Sequence, residues 1–232
     1  PSGDAHAAPV VAALLGRAPQ ATVEAFGGPR MAAAGARVLD RMEAFSVVGF
    51  VEALESIPRH YRLLRRTRDA FRAGRYDVAI FIDYPGYHLR AAAAAAAAGV
   101  PVLYYIAPQL WAWGAGRVRR LAAAVRHLAV ILPFEEPFFR ERGVPTTFVG
   151  HPLKDGPALP TRAEARRTLG LDPNRPVLGV FPGSRAQEVR RIWPVALGAT
   201  RVLRASRPDL QIVVAATCVA QYPEAEDLRV IV

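Results

Sequence analysis

Four short segments of the 232-residue chain set reactive or anion-binding residue types where an apolar run gives way to a helix-like one. Phe81-Ile82-Asp83-Tyr84-Pro85-Gly86-Tyr87-His88 puts a carboxylate at the end of a hydrophobic strand, where it is costly unless it faces a cleft, caps a helix or does chemistry. Asp83 reads either as a general base or as the N-cap of a helix expected over 87–98, for which four residues' separation is early. Phe181-Pro182-Gly183-Ser184-Arg185-Ala186-Gln187-Glu188 is strand, glycine turn and helix. Its backbone N–H groups, backed by the helix dipole, suit a diphosphate, and Arg185 suits the charge of a leaving phosphate; the plain alternative is an ordinary helix start. Ser2-Gly3-Asp4-Ala5-His6 precedes an apolar helix. Ser2 or Asp4 there is either its N-cap or part of a small-residue turn that lets a substrate approach the backbone. Tyr104-Tyr105-Ile106-Ala107-Pro108-Gln109-Leu110-Trp111-Ala112-Trp113 follows a strand with two tryptophans, which either plug a core or wall a pocket for a sugar ring or acyl chain.

The elements needed to position these segments alternate. A strand is expected over 21–26. An amphipathic helix is expected over 58–73, with Tyr61, Leu64 and Phe71 on one face and arginines on the other. Residues 77–82 (DVAIFI) form an unbroken apolar run of the kind buried on both faces of a parallel sheet. Helix 87–98, strand 101–106, helix 114–124, strand 127–132, helix 134–142 and strand 145–149 follow. Residues 150–160 read as a linker. A second unit opens with helix 161–169, capped by Thr161 with Glu164 three residues on, and continues with strand 176–181, helix 186–206 and strand 210–216. Repeated βα units predict an α/β fold with doubly wound, Rossmann-like sheets, in which ligands bind beyond the carboxyl ends of the strands. The expected division is a domain over 1–155 and the beginning of a second over 156–232. The opening Pro1-Ser2-Gly3-Asp4 and the closing apolar run read as cuts in a longer protein.

Composition removes several classes of function. The single cysteine, Cys218, excludes an internal disulfide and a cysteine-based zinc cluster, and its apolar neighbours read as those of a buried thiol. The five histidines show no metal-ligand spacing, and no metal or cofactor is expected. A net charge of +10, almost all of it arginine, favours anionic partners, although the alanine-rich runs read as the habit of a biased genome. No aromatic RNA-binding signature accompanies it, so nucleic acid is not an expected partner. The uncharged stretch 91–113 is long enough to cross a bilayer, but Gly99, Pro101 and Pro108 break it into helix, strand and loop.

Taken together, the motifs resemble the lipid-A-disaccharide synthase family. SGDAHAA (2–8), GGPRM (27–31) with VVGFVEAL (47–54), and FIDYPGYHLR (81–90) occur in that order. YYIAPQLWAWGAGRV (104–118), with LPFEEPFF (132–139) and FVGHPL (148–153), and FPGSRAQEVRR (181–191) complete the set. The resemblance implies a GT-B-type inverting glycosyltransferase that joins UDP-2,3-diacylglucosamine to 2,3-diacylglucosamine 1-phosphate and releases UDP, without a metal. It implies that Asp83 is the base toward the acceptor 6-hydroxyl and that Arg185 stabilises the departing UDP. It makes Ser2, Gly3, Asp4, His88, Gln109, Trp111, Trp113, Gly183, Ser184 and Glu188 substrate-binding candidates. The apolar segment 45–54, with Phe45, Val48, Phe50, Val51 and Leu54, is either a core helix or a surface for acyl chains and membrane, helped by the arginines of helix 58–73.

The same resemblance implies a cytoplasmic protein, peripheral on the inner face of the inner membrane, with a homo-oligomer allowed. His88 departs from it, since many members have Asn there. The family's later glycine-rich loop and glutamate of the UDP site lie beyond Val232, so these residues alone are not expected to complete a donor pocket or to turn over substrate. Two other readings stay open. One is another GT-B UDP-sugar enzyme, such as the lipid II-forming N-acetylglucosaminyltransferase or a UDP-sugar 2-epimerase. The other is a non-catalytic basic module that binds membrane or nucleic acid.

Overall fold

The computed structural model describes residues 2–41, 50–218, 220–225 and 228–231. The chain divides into two compact units, Pro1–Gly156 and Pro157–Val232, each described by itself below. Among the described residues every strand pairing in both is parallel.

The first unit begins with helix α1 (Ser2–Arg17), strand β1 (Glu24–Gly27), the short helix α2 (Pro29–Ala33) and strand β2 (Arg37–Arg41), which pairs with β1. Val11, Ala25 and Ala36 form a small core between them. The helix expected from Pro58 starts earlier, as α3 (Phe50–Arg72), with Pro58 inside it. Phe50, Val51 and Leu54 fall in its first turns, and Phe45 and Val48 lie outside the described residues. Then follow β3 (Ala79–Ile82), α4 (Pro85–Ala97), β4 (Val102–Tyr105), α5 (Leu110–Trp113), α6 (Val118–Ala124), β5 (His127–Val130), α7 (Glu135–Arg140) and β6 (Thr146–Phe148). The sheet order is β3-β4-β5-β6. The second unit holds α8 (Arg162–Thr168), β7 (Val177–Val180), α9 (Ala186–Ser206), β8 (Gln211–Ala215) and β9 (Arg229–Ile231), with sheet order β7-β8-β9. Thr161 and Glu164 form the expected reciprocal cap on α8. This is an α/β architecture of parallel sheets and crossover helices, as the alternation of elements predicts.

The packing corrects three details of the sequence reading. The buried stripe of α3 is Leu63, Thr67 and Phe71, with Leu64 at its margin, whereas Tyr61 is 70% exposed. At about 100° per residue, Tyr61 points roughly 120° away from Thr67, so the spacing 61-64-71 picks a different line from 63-67-71. Strand β3 is not deeply buried on both faces. Ala79 and Phe81 are buried, while Ile80 and Ile82 are half-buried. The deep face joins Val102, Tyr104, Leu128 and Val130 to Ala91, Ala92 and Ala95 of α4. Alanines at 0% exposure let α4 lie close to that face, and α3 and α6 pack beside α4 in one layer. Cys218, expected inside, is exposed in the loop after β8. No helix among the described residues is long and apolar enough to cross a membrane, and 91–113 is divided as expected.

Asp4 is neither the cap of its own helix nor open to a ligand. It sits inside the first turn of α1, 6% exposed, and its carboxylate accepts N–H bonds from Gly28 (2.9 Å), Arg30 (3.1 Å) and Met31 (3.0 Å). It therefore caps α2 from 24 residues away, where the local N-cap, Gly28, has no side chain to do so. A Cβ at Gly28 would lie 2.7 Å from Asp4 Oδ2, so the glycine is what lets the carboxylate approach. Ser2 is exposed at the start of α1. We expect Asp4→Ala to destabilise the fold by about 1–3 kcal/mol, read as a lowered urea midpoint, because three backbone donors lose their acceptor. Ser2→Ala should stay within about 0.5 kcal/mol.

Candidate functional site

The carboxyl ends of β3, β4 and β5 surround a cavity of about 380 Å³, within the range of about 300–1,000 Å³ typical of ligand sites. Asp83, Gln109, Arg117 and Glu135 supply its polar wall, and Ile106, Leu110 and Ile131 much of its apolar one. They come from the strand-to-helix loops and the first residues of the helices that follow, as expected of an open parallel sheet.

The backbone at this edge is held in rare conformations. Asp83, Tyr84 and Ile106 have φ of 52°, 49° and 60°. Such left-handed residues cost about 1–3 kcal/mol each and persist where surroundings over-determine them. The first two terminate β3 and the third terminates β4, and the last pair of residues in those strands, Ile82 and Tyr105, are in register. At Asp83 the determining bonds are visible. Its N–H donates to Tyr105 O (3.1 Å), while its own carbonyl accepts from the Tyr104 hydroxyl (2.8 Å) and from His88 Nδ1 (2.7 Å). Because a carbonyl only accepts, Nδ1 carries the proton and neutral His88 has its lone pair on Nε2. Burial, then the Asp83 charge, pushes the Tyr104 hydroxyl pKa well up, so it remains a donor. The Asp83 carboxylate itself makes no hydrogen bond to a described residue and faces the cavity.

This arrangement excludes the N-cap alternative for Asp83. Helix α4 begins at Pro85, two residues earlier than the pattern suggests, its N-cap is Tyr84, and no side chain caps it. His88, expected as a substrate contact, instead lies behind the site. Its ring packs against Phe81 (5.2 Å), Tyr84 and Tyr87 (5.7 Å each), and its nitrogen fixes the Asp83 backbone. Burial pushes its pKa below the ordinary imidazole value, opposed by the bond to Asp83 and by the Asp83 charge. Tyr87 donates to Thr67 Oγ1 (2.7 Å), whose own proton goes to Leu63 O (2.9 Å), which ties α4 to α3 beneath the loop.

Of the other first-unit candidates, Gln109 is exposed in the cavity wall as the N-cap of α5. Trp111 is 38% exposed, stacks edge-on against Phe134 (5.0 Å) and donates Nε1–H to Glu135 Oε1 (3.1 Å). Trp113 closes α5. Ser2, Gly3 and Asp4 lie in α1 and do not line the cavity. Two of the cavity's polar residues escaped the sequence reading. Glu135 is 2% exposed, and its second oxygen accepts the Leu132 N–H (3.1 Å). Burial pushes its carboxyl pKa up against those bonds. Its position in FEEPFF carries no local signal beyond a helix start. Arg117, in the 3₁₀ turn Ala115–Arg117 ahead of α6, was hidden among thirty basic residues.

In the second unit, Gly183, Ser184, Arg185 and Glu188 do come together at the start of α9. Gly183 has φ of +126°, and a Cβ there would lie 2.7 Å from Glu188 Cβ, so glycine is required. The Glu188 carboxylate accepts from the backbone N–H groups of Ser184 (3.0 Å) and Arg185 (3.2 Å) and from the Arg185 guanidinium (2.7 Å). The Arg185 bond, first, and the backbone bonds hold the Glu188 pKa below the usual carboxylate value. The N–H groups expected to receive a diphosphate thus already hold an internal anion. The turn is built for negative charge, with Glu188 as its occupant.

Comparisons with known proteins identify the family. The family model for lipid-A-disaccharide synthetase matches residues 1–227. Named lipid-A-disaccharide synthases of Myxococcus xanthus and Trichlorobacter lovleyi are 44% and 43% identical over 214 and 213 residues, covering 92% and 91% of this chain and 56% of each relative. That of Geobacter metallireducens is 42% identical over 214 residues, covering 91% of the chain and 56% of the relative. The chain therefore spans about half the length of the curated relatives it matches. With nearly all of its residues matched, and with the Asp83 segment, the tryptophan loop and the PGSR turn each at a strand-to-helix junction, the chain belongs to the lipid-A-disaccharide synthase family.

Proposed function

We propose that this chain provides the acceptor side and part of the donor side of an inverting glycosyltransferase. It transfers 2,3-diacylglucosamine from its UDP donor to the 6-hydroxyl of 2,3-diacylglucosamine 1-phosphate. The observation that carries the reading is the Asp83 carboxylate, unbonded and aimed into a cavity by a backbone that three hydrogen bonds hold in a rare conformation. A carboxylate kept only for packing would have its oxygens satisfied, as those of Asp4 are.

In the proposed step the Asp83 carboxylate takes the proton of the acceptor 6-hydroxyl. The oxygen forms a bond to the donor anomeric carbon from the face opposite UDP, and the carbon–oxygen bond to the diphosphate breaks with its electron pair. One displacement inverts the anomeric centre and gives the β-1,6 linkage. Arg185 meets the charge that develops on UDP, which requires its guanidinium and the Ser184 and Arg185 N–H groups to exchange Glu188 for phosphate oxygens. Tyr104 and His88 act as positioning residues through the Asp83 carbonyl. Lipid substrates call for work at a membrane surface. The segment 45–54, with Phe45, Val48, Phe50, Val51 and Leu54, and the exposed arginines of α3 are proposed to meet the inner face of the inner membrane there.

Two tests follow. In a full-length protein containing this chain, Asp83→Asn and Arg185→Ala should each lower turnover of the two lipid substrates at least about 100-fold, with the disaccharide and UDP as the products measured. Disaccharide formation that survives Asp83→Asn would remove the base assignment and keep the family. The second test follows from His88. Folded, it stays neutral below its ordinary pKa of about 6.5, while the unfolded chain takes up a proton there. The unfolded state then binds more protons, so stability falls as pH drops below that value. His88→Asn removes the titration and keeps an N–H for the Asp83 carbonyl. Between pH 7.5 and 5.5 the melting temperature should drop further for the wild type than for His88→Asn.

A further inference from the structure

Arg117 is the one lysine or arginine among the described residues lining the cavity that receives Asp83. Its guanidinium makes no hydrogen bond or ion pair with a described residue. The second carboxylate in the same wall, Glu135, is already engaged, with one oxygen accepting from Trp111 and the other from Leu132. The side chain is nonetheless placed. Its backbone N–H donates to Gly114 O (2.8 Å), and its Cδ lies 3.5 Å from where a Cβ on Gly114 would stand. Gly114 adopts φ of +136°, a conformation that side chains rarely allow, so the loop after α5 turns sharply and leaves its Cα face beneath the arginine stem.

A guanidinium and a carboxylate that line one cavity of monosaccharide scale, each without a partner among the described residues, ask for a ligand that carries both a hydroxyl and an anionic group. The planar fork of arginine fits a phosphate monoester in a bidentate way that a lysine would not. We propose that Arg117 anchors the 1-phosphate of the acceptor sugar and so sets which hydroxyl reaches Asp83. This rests on the acceptor assignment above and adds a specificity-determining residue to it. A sugar held by its phosphate at Arg117 presents its far hydroxyl to the carboxylate. A sugar without the phosphate has nothing to fix its direction in the cavity.

The test crosses Arg117→Ala, Arg117→Lys and the charge control Arg119→Ala with two acceptors, 2,3-diacylglucosamine 1-phosphate and the same lipid lacking the phosphate. Turnover is measured in the full-length protein, and binding of each acceptor is titrated separately, without donor. Wild type should favour the phosphorylated acceptor about 10- to 100-fold in kcat/KM. Arg117→Ala should erase that preference, raising the acceptor KM and leaving the donor KM unchanged, and Arg117→Lys should fall between. Arg119→Ala should match wild type. A preference that persists in Arg117→Ala overturns the anchor, as does an Arg117→Ala loss that appears in donor KM, which would give the arginine to the UDP diphosphate. The binding arm separates the two layers. If the full-length protein transfers no sugar yet binds the phosphorylated lipid with an Arg117-dependent preference, the anchor stands and the transferase reading falls.

Discussion

The candidate site of the first unit depends on a single backbone carbonyl. Asp83 O accepts both the Tyr104 hydroxyl from the neighbouring strand and His88 Nδ1 from the following helix. These two donors come from opposite sides of the β3–α4 junction and fix the peptide that a left-handed Asp83 would otherwise let swing. The junction is therefore a corner between strand and helix held by hydrogen bonds from both sides. Its anchors are in turn buried. Tyr104 is at 0% exposure in the main core, and His88 packs within a group of aromatic rings. Core packing and site geometry are thus the same set of contacts, and a change in the core at Phe81 or Tyr87 reaches the carboxylate within one residue's contact.

Much of this was legible in sequence, because the signals are local. Apolar runs ended by chemistry-bearing residues mark strand-to-helix junctions, and the topology of an open parallel sheet then says that those junctions face the ligand. The Thr161–Glu164 cap, the glycine turn at 183 and the division of the 91–113 stretch follow from rules that act within a few residues. What escaped depends on contacts across many residues. Asp4 and the backbone it caps are separated by 24 residues or more, and no spacing rule couples them. Trp111 and Glu135 are likewise joined across 24 residues. Arg117 differs from the other basic residues only by what surrounds it. His88 has the right type for a substrate ligand, and only its ring's direction, inward to Asp83 O, reassigns it.

Four carboxylates at helix starts show how a structure sorts function from support. Asp4, Glu135 and Glu188 all lie in the first turn of a helix, and Asp83 lies just before one. By position alone each is a candidate cap or a candidate catalyst. Accounting for acceptors separates them. The oxygens of Asp4 take three backbone N–H groups, those of Glu135 an indole and a backbone N–H, and those of Glu188 two backbone N–H groups and a guanidinium. Each of the three satisfies backbone donors of a turn. Asp83 inverts the pattern, with its backbone bonded on both sides and its carboxylate left with no partner in the described residues. A negatively charged group positioned at such conformational cost and left without a partner in a cavity is what supports the proposed role of Asp83. Glu188 makes the complementary point in the second unit. Its bonds are of the kind a diphosphate would make, and they lie on the exposed surface, where water can replace each one as it breaks, which is what the proposed exchange of Glu188 for phosphate requires.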